Sequence, residues 1–131
     1  MTTRIHGTFS VVMNPLALHD EAQNTLLGRR SIDKQFHGEL DATSVGEMLS
    51  AGTPVEGSAG YVAVETVTGT LQGRSGSFTL LHRGIMSRGN PELTITVVPD
   101  SGTGELEGLS GEMTINFVEG QHAYEFEYTL V

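Results

Sequence analysis

Residues 61–84 read YVAVETVTGTLQGRSGSFTLLHRG, and this stretch decides the fold. Its apolar and polar residues alternate on both sides of Gln72-Gly73. A glycine there permits positive φ, so the pair fits a two-residue hairpin turn. Leu71 then faces Arg74. Counting outward sets Gly69 opposite Gly76, Val67 opposite Phe78, Glu65 opposite Leu80, Ala63 opposite His82 and Tyr61 opposite Gly84. Strand side chains alternate, so all of these share one face.

The same counting works at Glu119-Gly120. It sets Phe117 opposite His122, Ile115 opposite Tyr124, Met113 opposite Phe126 and Gly111 opposite Tyr128. Ala123, Glu125, Glu127 and Thr129 then point the other way, which separates aromatic from acidic residues on the last strand. A first strand carries Ile5, Gly7, Phe9 and Val11 on one face, and Pro15 with the polar run 19–24 predicts a loop over 13–28. A second strand carries Ile32, Lys34, Phe36 and Leu40; a short one spans Val45 to Ala51, and a Gly/Pro/Ser-rich connection covers 52–60. Leu93 to Val98 reads as one more strand, ended by Pro99. The expectation is an all-β fold: a closed antiparallel up-and-down (meander) barrel of about eight strands, forming a single domain over residues 1–131. A two-sheet sandwich is the alternative.

Composition narrows the function classes. The chain has 131 residues, enough for one sizeable core, and 16 acids against 7 Lys plus Arg give a net charge of −9. That balance argues against binding nucleic acid. No apolar run nears the roughly 20 residues of a membrane span, and no basic-then-apolar opening suggests a secretory signal. A cytoplasmic protein without a membrane partner is expected. The absence of Cys excludes thiol catalysis and Cys-ligated zinc, and the five histidines show no metal-binding spacing, so neither metal nor cofactor is expected. No Gly-x-Ser-x-Gly elbow supports serine hydrolysis. After Arg88 there is no cation while eight acids follow, so the outer face of the last hairpin should be acidic.

A pattern recurs: GTLQGRSGSFT at 69–79 parallels GELEGLSGEMT at 104–114, with a looser copy from Gly38 through Leu40 to Met48. It reads as a turn unit whose leucines and Phe78 or Met113 plug one barrel end. Gly7, Gly38, Gly69, Gly76, Gly84 and Gly111 all fall on faces read as inward. They would either leave room for a ligand or kink strands for closure.

The stretches GYVAVE at 60–65, GRSGSF at 73–78 running to His82 and Gly84, and SGTGELEG at 101–108 resemble an uncharacterised bacterial family, domain of unknown function 3224. The resemblance covers nearly the whole chain. It implies a barrel like that of allene oxide cyclase, a fold similar also to plant dirigent proteins. Residues 102–111 resemble the glycine-rich turn of those proteins as well. No cyclase catalytic residue has a counterpart here, so the resemblance carries over no catalytic role.

Several polar residues fall on the inward face. Lys34, the only lysine, lies between Ile32 and Phe36. An inward ammonium needs a carboxylate partner, and it could anchor a ligand carboxylate or act as an amine base. The preferred expectation is plainer: local twist turns Lys34 outward, or it reaches the rim. Glu65 and His82 are diagonal neighbours, with Tyr61 on the same face. A carboxylate orienting an imidazole is an acid–base pair, so Glu65 and His82 are the catalytic candidates. The competing reading is a buried network that satisfies only itself. His122 and Tyr124 open the last inward face and complete the candidate ligand-binding set, although the stripe Tyr124, Phe126, Tyr128 reads foremost as core.

The expected function is binding of a small, largely apolar ligand inside the barrel, one that could carry a carboxylate. The alternatives are a cyclase or isomerase acting on an apolar substrate, and a structural barrel without a ligand. A homo-oligomer, trimer or dimer, is the expected partner.

Overall fold

The computed structural model describes all residues 1–131. Eight strands run in chain order: β1 (Thr3–Pro15), β2 (Leu27–Gly38), β3 (Leu40–Gly52), β4 (Ala59–Leu71), β5 (Arg74–Ser87), β6 (Asn90–Val97), β7 (Leu109–Val118) and β8 (Gln121–Leu130). Each pairs antiparallel with the next, and β8 returns to β1, so the sheet closes into a barrel. Two single-turn 3-10 helices lie in connections, at Asp20–Ala22 and Gly104–Leu106. No helix is long and apolar enough to cross a membrane.

Turn chemistry explains the meander. Gln72-Gly73, Arg88-Gly89 and Glu119-Gly120 each have positive φ at both residues, the geometry whose twist matches the flanking strands. The two hairpins registered from sequence hold pair by pair, Tyr61 with Gly84 and Gly111 with Tyr128 included. The Arg88-Gly89 turn was not anticipated; it starts β6 at Asn90 rather than Leu93. Leu40 belongs to β3, not β2, because the chain reverses at Gly38, where φ is +113°. That strand is longer than the predicted 45–51, and β1 runs on to Pro15 into the stretch read as loop.

The interior is layered. The half nearer the Gln72-Gly73 turn is solid: Phe36, Val67, Leu71, Leu80 and Phe126 are fully buried, with Phe78 stacked on Phe126 at 5.7 Å between ring centroids. The three repeat leucines, Leu40, Leu71 and Leu106, are all buried there. Their settings differ, however: Leu71 enters a hairpin turn, whereas Leu106 closes a 3-10 turn that leads into β7. β6 and β7 pair only at Ile95–Met113 and Thr96–Glu112. Below that short seam the 101–105 segment takes over along β5: Thr103 donates to Ser77 O at 2.8 Å, and Ser75 N donates to Glu105 at 3.0 Å.

The inward glycines accommodate side chains of the barrel itself rather than a ligand. A Cβ at Gly7 would strike the Tyr124 ring, one at Gly84 the Tyr61 ring, and one at Gly111 the Tyr128 residue across the pair. Aromatic rings thus cover glycines on neighbouring strands. The outer face of β8 is acidic as expected, and Arg4 of β1 answers it within the chain, 3.4 Å from Glu125 and 2.5 Å from Glu127. These exposed pairs contribute little.

Gly84 offers a clean test, because the three nearest atoms to its added Cβ all belong to the Tyr61 ring. Gly84→Ala should destabilise the barrel by about 1–3 kcal/mol in urea denaturation. In a Tyr61→Ala background the same change should cost far less. Equal costs in both backgrounds would contradict the ring-on-glycine packing.

Candidate functional site

Four adjacent strands bring one polar cluster to the middle of the barrel. The register pairs Lys34 of β2 with Ser44 of β3, Gly46 of β3 with Glu65 of β4, and Ala63 of β4 with His82 of β5. All four polar side chains therefore point inward at one level. Gly46 is part of the design: a Cβ there would collide with Cα and Cβ of Glu65.

Glu65 is the hub and is completely buried. Its Oε2 accepts hydrogen bonds from Lys34 Nζ at 2.8 Å and His82 Nε2 at 2.5 Å, and its Oε1 accepts one from Ser44 Oγ at 2.7 Å. Burial pushes the Glu65 carboxyl up, but the His82 hydrogen bond and the Lys34 charge overcome it and hold the group at about 2. The carboxylate is thus ionised at neutral pH. Lys34 Nζ also lies 5.0 Å from the centroid of the Phe9 ring and 5.7 Å from that of Phe36, where the ring faces favour a cation. The expectation that Lys34 turns outward is corrected. Its side chain is only 6% exposed, because the Glu65 carboxylate supplies the partner an inward ammonium requires.

Above this level the barrel is open. A cavity of about 340 Å³ is lined by Phe9, Val11, Ile32, Ala63 and Ile115, with Lys34, Tyr61, His82 and His122 among its walls. Every buried side-chain nitrogen and oxygen has a hydrogen-bond partner. His82 Nδ1 and Tyr61 Oη have none within the protein, so both reach accessible space, and both residues line this cavity. Burial and the nearby Glu65 charge raise the Tyr61 phenol above its usual pKa. The Phe9 ring stacks on the His122 imidazole at 5.1 Å between centroids, holding it in the wall.

Tyr124 is not part of this site. Its ring lies in the solid half; its hydroxyl donates to His37 O at 3.0 Å and accepts from Leu40 N at 3.2 Å. It caps the β2–β3 turn, which is why a core aromatic carries a polar tip there. Two features escaped the sequence reading. Ser44 completes the Glu65 shell, and strict alternation carried forward from Leu40 through Ala42 would have placed it inward. A second cavity of about 510 Å³ lies at the rim, between the 53–58 connection and the start of β6, and it meets the first at Tyr61 and Met48. That cavity depends on a loop whose path no periodicity encodes.

Carboxylic chemistry makes the cluster sensitive to acid. The Glu65 pKa is lower in the folded chain than in the unfolded one, so its contribution is present above about pH 4.5 and is lost as pH falls towards about 2. Glu65→Gln strands the Lys34 ammonium and should cost about 3–5 kcal/mol in chemical denaturation at pH 7. The variant should also lose less stability than the wild type between pH 4.5 and 2. A wild-type loss matched by the variant over that range would contradict the assignment.

Comparison with known proteins places the chain in a family without placing a function. Comparison with curated proteins gives no match. A crystal structure of a DUF3224-family protein of unknown function from Shewanella oneidensis MR-1 shares 49% identity, covering 100% of this chain and 99% of that one, with a TM-score of 0.93. The family model described as "Protein of unknown function (DUF3224)" matches residues 5–128, and with nearly the whole barrel inside that match, the chain belongs to the DUF3224 family.

Proposed function

We propose that the barrel binds a small, largely apolar ligand in its open half, with the ligand's polar head at the Lys34–Glu65–His82 level. The supporting observation is the cavity of about 340 Å³, whose walls are mostly apolar and include His82 and Tyr61, each with a polar atom free of any partner within the protein. This is the composition of a small-molecule site: apolar surface for affinity and a few polar atoms for orientation. The solid half below supplies rigidity, and no side chain from it fills the opening.

A second reading is favoured by one feature. Glu65 holds His82 by Nε2 and leaves Nδ1 accessible beside Tyr61, an arrangement suited to moving a proton on an apolar substrate. A cyclase or isomerase would use Glu65 to orient His82 and the walls to confine the substrate. With a substrate in hand, unchanged turnover in His82→Gln rejects this reading.

The binding reading is tested with a neutral apolar dye, N-phenyl-1-naphthylamine, followed by fluorescence. The wild type should bind one dye per chain. Val11→Trp, which fills the cavity wall, should weaken binding at least tenfold while circular dichroism stays that of the barrel. No enhancement with the wild type, or equal binding by the variant, contradicts the proposal. Native mass spectrometry of freshly purified protein would show a retained metabolite directly.

A homo-oligomer, trimer or dimer, remains part of the proposal. The outer face of β3, β4 and β5 exposes Val45, Leu49, Val62, Val64 and Leu81, each 46–63% accessible. Leu49 pairs with Val62, and Val64 with Leu81, so the side chains form one patch. Contiguous apolar surface of this kind marks an association face. Analytical ultracentrifugation should find an oligomer for the wild type and a monomer for Val64→Glu; a monomeric wild type contradicts it.

A further inference from the structure

The polar end of the cavity has an unusual charge balance. Lys34 is the cation nearest to it, and its charge is already answered by Glu65 at 2.8 Å. Glu65 in turn is completely buried and already bonded at both oxygens, Oε2 receiving Lys34 and His82 and Oε1 receiving Ser44. An ionised carboxylate fixes the proton of His82 on Nε2, because only an N–H can donate to it. In the neutral imidazole the other ring nitrogen, Nδ1, is then a bare lone pair at the cavity wall.

The groups facing His82 can be named from every packed element. Glu65 and Tyr61 come from β4, Lys34 from β2, and His122 lies in the wall on β8. β6 contributes Ile95, the residue paired with His82, and no charge. No arginine lines this cavity. A ligand carboxylate entering here would set two anions against one buried cation and would also meet a lone pair. Uncompensated charge in such a place is costly. A hydroxyl, by contrast, finds an acceptor at once and leaves the balance untouched.

We infer that the cavity selects ligands whose polar head donates a hydrogen bond, an alcohol or a phenol, and that it admits a carboxylate only together with one proton. The proton either stays on the acid or moves to Nδ1 of His82, where it turns the acceptor into a donor. Both routes have the same stoichiometry: one proton enters for each carboxylate bound. The inference rests on the binding reading above and gives that site its ligand class. It also reverses the simplest role of the lone lysine. Lys34 does not wait for an acidic ligand, because Glu65 already occupies it.

Octan-1-ol and octanoate test this, as matched eight-carbon chains with a donor and an anionic head. Isothermal titration calorimetry would be run at pH 6.5 and 8.5, in phosphate and in Tris, whose different heats of ionisation report proton uptake. Octanol should bind within twofold at both pH values and exchange no protons. Octanoate should take up about one proton at pH 8.5 and weaken by about tenfold per pH unit, the effect of one linked proton. His82→Gln should weaken octanoate more than octanol, whereas His122→Gln should leave both affinities within twofold of the wild type. Octanoate binding as tightly as octanol at pH 8.5, without proton uptake, overturns the inference. So does binding of the naphthylamine dye without binding of octanol. If neither the dye nor either octyl compound binds, the binding reading itself fails.

Discussion

A carboxylate enclosed in the middle of a β-barrel must be answered by donors on the strands around it, and Glu65 sets that requirement for this chain. The group is fully buried, and water cannot solvate it. Its three partners come from β2, β3 and β5, the strands flanking β4 on both sides. The register of three successive strand pairs is therefore tied to one charge, and a slip by a single residue would turn a partner outward. The network is also the boundary between two interiors. Below it the barrel is packed with Phe, Leu and Tyr; above it the walls separate and enclose space.

Glycines and aromatics make this division possible. A narrow barrel has no room for a full ring on every strand, so the Tyr124 ring lies over Gly7 in the solid half, where Gly111 also lets the Tyr128 Cα and Cβ approach closely. In the open half Tyr61 lies over Gly84, against the wall instead of across the opening. The glycines therefore relate to the cavity indirectly. They give neighbouring rings a flat place to lie, and ring placement decides which end is filled.

Much of the fold was legible because two-residue turns fix register without knowledge of the third dimension. Once Gln72-Gly73 is read as a turn, Ala63, Glu65 and His82 must share a face, and the structure agrees. Glu119-Gly120 does the same for the aromatic stripe. Boundaries were less visible where pairing continues through unfavourable composition, as at Pro15 and Asn90. The direction of Lys34 could not be settled from its own strand, because its stabilising partner sits 31 residues away on a strand it does not pair with. Ser44 was hidden by a strand read too short. His122 fell on the cavity and Tyr124 in the core although they alternate identically, since depth along the barrel axis, not face, separates them.

The account turns on one ring: His82, held by Glu65 through Nε2 and open to the cavity through Nδ1. Nitrogen-15 spectra of the histidine side chains at pH 8 measure this directly. The account predicts a His82 ring protonated at Nε2 and bare at Nδ1, with the Nδ1 resonance moving when an apolar ligand fills the cavity. A ring protonated at Nδ1, or an Nδ1 resonance indifferent to an occupied cavity, would contradict it.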